Sequence, residues 1–280
     1  MIELGDNRYG KQAIRLVRVI KGAERDVVRD LTVGITLEGA FTASYVAGDN
    51  SDVVATDTMK NTVYAFARDR FDGSIEAFGR TLAEHFSGFE QVERATVSLR
   101  EHRWERLVVG VGEPAPDAFA RDGSWTRVAT VVSARDRVSV EAGIEDLAVM
   151  KTAKSSFTGF PRDSYTTLPE STDRIMATQV SARWRYASPD IDHDAVFEAV
   201  RSTFLEVFAE HESPSVQASI WIIGRAILER HLELDEITMA LPNLHHWLVD
   251  LAPFDLDNPA LVFISTREPH GLIEATVRRS

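Results

Sequence analysis

Two alternating runs, then two helical runs, then alternating runs again, twice over: this order narrows what the chain can become more than any other feature. Leu31, Val33, Ile35 and Leu37 alternate with Thr32, Gly34 and Thr36, the period of a strand with one buried face. The preceding Ala13 to Ile20 is rich in β-branched residues but alternates less cleanly, and it too reads as a strand. From Asp57 to Asp69 and from Ile75 to Phe86 the apolar spacing changes to three and four (Val63, Phe66, Ala67; Phe78, Leu82, Phe86), which places them on helical stripes. Strands return at Val92 to Trp104 and Trp125 to Val132.

The second half repeats that order. Val138, Val140, Ala142 and Ile144 alternate, as do Met176, Val180, Ala182, Trp184 and Tyr186. A helix is expected after Asp192 (Val196, Phe197, Val200, Phe204, Val207, Phe208). Another should start at Ser213-Pro214, with serine as cap and proline in the first helical position. Ile237, Met239 and Leu241 alternate, and Leu261 to Ile264 reads as a late strand. The polar Arg135-Asp136-Arg137 is the natural seam, giving units 1–136 and 137–280 of the 280 residues. The expected class is α+β, with two antiparallel sheets each carrying a helix pair. Such open sheets leave edge strands unpaired; two such units could pair within the chain and then with another subunit, so closure by association of chains is expected. Between the halves' regular elements, Lys151 to Asp173 is long, irregular and yet apolar (Phe157, Phe160, Tyr165, Leu168), so it should dock on something rather than wander.

Composition removes function classes. Without cysteine there is no disulfide framework, thiolate metal site or thiol nucleophile. A net charge of −12 opposes nucleic acid and anionic membranes. No apolar run approaches the ~20 residues that span a bilayer. The start MIELGDNRYGK lacks a leader pattern and the end TVRRS is not a peroxisomal address, so a cytoplasmic setting is expected. The eight histidines show no metal spacing; His245 and His246 would point to opposite faces of a strand. No nucleophile elbow or phosphate loop is present, and Gly110-Val111-Gly112 reads as a turn.

What remains is a set of short segments, each with an ordinary explanation. Thr56 or Asp57, where an apolar strand end meets a helix, could simply cap that helix. Lys11 after Tyr9-Gly10 is ordinarily surface charge, and Arg174 at the end of the long loop an exposed ion pair. Gln217 in a first helical turn reads as a solvated amide, and Asn243 and His245 after Pro242 as a turn.

Taken together and in order, these segments resemble the urate oxidase (uricase) family. The resemblance lies in Tyr9-Gly10-Lys11, in Val54-Ala55-Thr56-Asp57-Thr58-Met59-Lys60-Asn61-Thr62 and in Phe157-Thr158-Gly159-Phe160. It continues through Thr166-Thr167-Leu168-Pro169-Glu170, Asp173-Arg174, Ser213-Pro214-Ser215-Val216-Gln217, Leu241-Pro242-Asn243-Leu244-His245 and Glu268-Pro269-His270-Gly271. Departures are Ser156, where the family is expected to carry glutamine, Thr158 at a variable position, and His246-Trp247 in place of a more usual aromatic pair. None touches an expected catalytic group.

The resemblance implies a tandem tunnelling fold, assembled as a homotetramer with sites at subunit interfaces. Lys11, Thr56 and Asp57 would come from one subunit. Phe157, Leu168, Arg174, Val216, Gln217, Asn243 and His245 would come from its neighbour. It also implies cofactor-free oxidation of urate by dioxygen to 5-hydroxyisourate and hydrogen peroxide, with no metal. Arg174 would grip the anionic purine bidentately, Gln217 match a neighbouring N–H and C=O, and Phe157 stack on the ring while Leu168 excludes water. The backbone of Val216, Thr56 and Asp57 would complete the clamp. Lys11 and Thr56, with His245 as relay, would move protons, and Asn243 would position dioxygen. The lack of oxidisable thiols suits a source of peroxide. Two rivals stand beside this reading: another tunnelling-fold purine or pterin enzyme, whose zinc-dependent members need ligand clusters not seen here, and a non-catalytic purine-binding ring protein, which would have no use for Lys11, Thr56 and His245.

Overall fold

The computed structural model of the chain describes residues 2–71, 73–135 and 137–280. The expected seam at Asp136 lies outside the described residues. By compactness the chain divides into Met1–Gly143 with Arg185–Val196, and Ile144–Trp184 with Phe197–Ser280.

In the first unit, β1 (Tyr9–Ile20) pairs antiparallel with β2 (Val27–Gly39), from Tyr9↔Leu37 to Ile20↔Val27. Leu31, Val33, Ile35 and Leu37 are fully buried, each worth about 1.5–3 kcal/mol of apolar burial. The weak alternation of β1 has a local cause: the register shifts between Lys11 and Ile14, with Ala13 at a φ of 57°, a bulge that re-aims neighbouring side chains. The short α1 (Thr42–Val46) leads to α2 (Thr56–Asp69) and α3 (Ile75–Ser87). They bury Met59, Val63 and Ala67, and Phe78, Leu82 and Phe86.

β3 (Val92–Glu101) follows, shorter than the expected strand to Trp104, with the His102 amide making one more bond to β2 at Asp30 O, 2.8 Å. The chain leaves as a separate hairpin, β4 (Trp104–Val109) and β5 (Glu113–Arg121), before β6 (Thr126–Ala134) pairs with β3 and extends the sheet order to β1-β2-β3-β6. The hairpin has no periodic signature, since β4 is almost wholly exposed and β5 carries Pro114 and Pro116. Its turn is the expected one, with Gly110 and Gly112 at φ of 56° and 84°.

The later half of the chain repeats the scheme with β7 (Arg137–Lys151), β8 (Met176–Tyr186), α4 (His193–Glu210), α5 (Val216–Arg230), β9 (Leu234–Ala240) and β12 (Glu274–Arg278). β8, β9 and β12 are successive neighbours, as β2, β3 and β6 are. The intervening hairpin, β10 (Asn243–Leu248) and β11 (Phe263–Thr266), differs from its counterpart because β10 also joins β8, through Asn243↔Thr178 and Leu244↔Ala177. Asn243 and His245 therefore lie on a strand rather than in a turn. β12 lies outside every expected strand. The late strand starts at Phe263 instead of Leu261 because Asn258 Oδ1 takes the amides of Leu261 and Val262 at 3.0 and 3.1 Å.

α5 opens two residues after the expected point. Ser215, not Ser213, is its cap. Ser213 is committed elsewhere: its backbone forms a parallel bridge with Ser155 in the long loop. That loop is docked as expected, by Ser156 N to Ser213 O and Ser213 N to Lys154 O, both 2.8 Å. α3 and α5 each also lay a glycine on two strands of the sheet, β3 and β6 in one case and β9 and β12 in the other. A Cβ on Gly79 would stand 2.7 Å from Leu99 and 2.9 Å from Val131, and one on Gly224 2.7 Å from Val277 and 3.0 Å from Met239. No helix among the described residues is long and apolar enough to cross a membrane.

Candidate active site

A cavity of about 990 Å³ opens in the second unit, where the end of the long loop, the first turn of α5 and β10 converge. Phe157, Leu168, Arg174, Val216, Gln217, Asn243 and His245 all line it.

Arg174 supplies the charge. It is half-buried, its Nε has no hydrogen-bond partner, and its guanidinium lies 5.2 Å from the centre of the Phe157 ring. Burial lowers its pKa, but a guanidinium stays charged at any physiological pH. Among the described residues no carboxylate pairs with it, so the exposed-ion-pair expectation fails. An uncompensated, partly desolvated cation of this kind is built to receive an anion. Its position is held from the backbone, by Arg174 N to Ser155 O at 2.7 Å.

Phe157 is clamped by exchanged backbone bonds with Ser171 at 2.8 and 3.1 Å. Its ring stacks on Phe160 at 4.9 Å and 12°, a backing that spacing did not reveal. At the head of α5, the Ser215 hydroxyl takes the Ala218 amide at 3.1 Å. The amides of Val216 and Gln217 have no partner within the helix, while the Val216 side chain is buried and Gln217 exposed at the cavity. On β10, Asn243, His245 and Trp247 share one face by strand alternation. Asn243 Nδ2 lies 3.4 Å from His245 Nδ1, and the His245 and Trp247 rings stack at 5.2 Å. Trp247, marked in the sequence only as part of a departure from the family's pattern, is thus part of this wall.

Lys11, Thr56 and Asp57 belong to the first unit and do not line this cavity. The structure shows why their motifs travel together. The Val54 amide donates to the Tyr9 hydroxyl at 2.8 Å, tying the approach to α2 onto the start of β1. Gly10 admits no side chain, since a Cβ would fall 1.9 Å from Ile35 O. Lys11 sits opposite Ile35 at the edge of the bulge. Neither Thr56 nor Asp57 caps α2: the N-cap is Ala55, with no side-chain cap bond, and Thr56 is the first helical residue. The opening amides of α2 are therefore left without capping. The exposed Asp57 carboxylate is occupied by Lys60 and, at 2.9 Å, by Asn61 Nδ2. Its pKa is lowered by Lys60 first, with Lys11 adding to the effect. No cluster of three or more metal-ligating side chains occurs among the described residues.

Two ββααββ units, one holding a pocket with an unpaired arginine, an aromatic platform and open helix-start amides, define a tandem tunnelling-fold protein equipped for a small planar anion. Known proteins agree. The family model described as Uricase matches residues 7–132 and 140–274. The chain is 48% identical to the uricase of Arthrobacter globiformis over 279 residues, covering 99% of this chain and 90% of that one. It is 40% identical to that of Dictyostelium discoideum over 284 residues, covering 100% and 99%. The crystal structure of the Arthrobacter globiformis uricase superposes with a TM-score of 0.95 over 100% of this chain and 96% of that chain, at 48% identity. A Bacillus sp. TB-90 urate oxidase structure gives 0.86 at 25% identity, over 98% and 100%. The chain belongs to the uricase family.

Proposed function

We propose that this enzyme oxidises urate with dioxygen and water in the cytoplasm, without cofactor, to 5-hydroxyisourate and hydrogen peroxide. Two electrons leave the purine for dioxygen, and water supplies the new hydroxyl. The observation that carries this reading is the gathering of Arg174, Phe157, Val216 and Gln217 around one cavity. An unpaired guanidinium, a stacking ring, backbone donors and a donor–acceptor amide match the charge, flatness and hydrogen-bonding edges of urate.

The substrate anion lies on Phe157, held in its plane by Arg174 and Gln217, with Leu168 excluding water and the Val216 amide donating. Asn243 stands over the ring, where dioxygen and then water bind. Lys11 and Thr56, relayed through His245, remove the second proton that turns urate into a good electron donor. The backbone of Thr56 and Asp57 closes the clamp.

The working enzyme is a homotetramer of tandem tunnelling-fold units, 1–136 and 137–280, with Lys11, Thr56 and Asp57 reaching the cavity of a neighbouring subunit. Two features support this assembly. The catalytic groups are divided between the two units of the chain, and β1 carries Val17 and Val19 about half exposed (58% and 51%), apolar surface that association would cover.

The test is turnover of urate in air by chelator-treated protein, followed as loss of ultraviolet absorbance together with peroxide release. Turnover should persist. A folded protein that leaves urate untouched overturns the enzyme reading, and loss of activity on chelation overturns the cofactor-free one. Lys11→Ala and Thr56→Ala should each lower kcat by about 10²–10⁴, with far smaller changes in KM.

A further inference from the structure

Behind the pocket wall runs a partly buried hydrogen-bond chain that the proposed mechanism does not use. His211 follows the last residue of α4, and its ring is fixed at both nitrogens: Nδ1 lies 2.8 Å from Val207 O and Nε2 2.8 Å from Ser219 Oγ. Ser219, fully buried in α5, lies 2.8 Å from Ser213 Oγ. A carbonyl can only accept, so Nδ1 carries the imidazole proton. In the neutral ring Nε2 then accepts from the Ser219 hydroxyl, and the Ser219 oxygen is open to the Ser213 hydroxyl, whose other acceptor is Ser215 O at 3.2 Å. Burial lowers the His211 pKa and so favours that neutral ring. Lys151 Nζ donates to the His211 carbonyl from the other side and faces the Phe208 ring at 5.6 Å.

The chain's far end is where the pocket is assembled. The backbone of Ser213 takes hold of the long loop on both sides of Ser155, Ser155 O receives the Arg174 amide at 2.7 Å, and Phe157 follows two residues later. Gln217 sits two residues before Ser219 on the same helix. One serine pair therefore stands between the loop and strand start carrying Phe157 and Arg174 and the helix start carrying Val216 and Gln217.

Resting on the proposed function, we infer that His211 and Ser219 are positioning residues: through Ser213 they hold the Phe157–Arg174 side of the pocket in register with the Val216–Gln217 side, and so set substrate affinity. They touch no reacting atom. Removing them loosens the clamp and leaves the Lys11–Thr56 proton system intact.

The test separates KM from kcat. Ser219→Ala and His211→Leu should each raise the KM for urate about tenfold, the worth of about one buried hydrogen bond, with kcat within about twofold. His211→Gln, whose amide oxygen can still accept from Ser219, should recover most of the affinity. The double variant should lose no more than the worse single one, because both changes break one chain. Hydrogen exchange on the ligand-free variants should quicken in residues 152–173 and the first turn of α5, with the core of α4 and β9 unchanged.

An active wild type whose variants keep its KM overturns the inference, as does equal loss in His211→Gln and His211→Leu. If the wild type itself does not turn over urate, the proposed function fails, and the exchange measurement still decides the positioning role. Unchanged exchange in 152–173 overturns it, and if Ser219→Ala does not fold, His211→Leu decides between the two outcomes.

Discussion

α3 in the first unit and α5 in the second both open on a serine whose hydroxyl takes an amide three residues on, Ala77 N and Ala218 N, each at 3.1 Å. Both then present a polar side chain at the second helical position. In α3 that residue is Glu76, fully buried and gripped by Arg127, with Nη2 at 2.7 Å and Nε at 3.3 Å. Arg127 pairs further with Asp194 at 2.6 Å. Burial works against the Arg127 charge, but Glu76 and Asp194 outweigh it and hold its pKa above the ordinary value. In α5 the same position is Gln217, exposed at the cavity, and the nearby cation, Arg174, has no carboxylate. One copy of the motif is closed by its own ion pair and serves folding. The other leaves the equivalent place open, so that a ligand can complete it.

The sharpest way to break this comparison is to remove the two arginines in turn. Arg127→Ala strands a buried carboxylate and should cost about 3–5 kcal/mol in chemical denaturation, with the KM of the folded fraction unchanged. A loss below about 1 kcal/mol would show that Glu76 finds another partner or a proton instead. Arg174→Ala should do the reverse. It removes an uncompensated cation, so stability should hold or rise, while KM for urate climbs about 10- to 100-fold, the equivalent of about 1.5–3 kcal/mol of charge-assisted bonding. An unchanged KM would take Arg174 out of the clamp.

The serines give a smaller, finer contrast. Ser74→Ala and Ser215→Ala each delete one cap and should each cost about 1 kcal/mol. Only Ser215→Ala should also weaken urate binding, by a few fold, because only its helix start faces the cavity. Equal kinetic effects from both would mean that the cap acts through global stability rather than through the pocket.

These contrasts also mark what was legible in the sequence. The repeated order of elements was visible because Leu31 to Leu37 and Val138 to Ile144 bury alternate side chains, and burial writes periodicity into the chain. The hairpin β4–β5 was not, because an exposed strand needs no alternation. The site residues could be named only through an ordered set of short segments, since each alone had a commonplace explanation. Three of those explanations fail: Thr56 and Asp57 do not cap α2, Arg174 makes no ion pair among the described residues, and Asn243 and His245 lie on a strand instead of in a turn. The supports behind the site left no local trace. Tyr9 reaches Val54 and Ser213 reaches Ser155 across long stretches of chain, and no window of sequence contains both ends.

The last contrast is expected in pH. His193 in the first unit is buried, its Nε2 has no partner, and its ring meets Tyr186 edge-on at 4.9 Å. Burial lowers its pKa, Arg127 and Arg80 add to that, and Asp194 and Asp192 oppose it. In the unfolded chain the same ring titrates near the ordinary value of about 6.5. The unfolded state therefore binds the proton first as pH falls, so the stability that a neutral His193 contributes is complete above about pH 6.5 and is lost below it. The melting temperature should accordingly fall between pH 7 and 5. Because Nε2 has no hydrogen bond to lose, His193→Phe keeps the packing and removes the titration, and it should flatten part of that fall. A variant that melts with the same pH dependence as the wild type would assign the loss to other groups, beginning with His211, whose pKa is lowered by burial in the second unit.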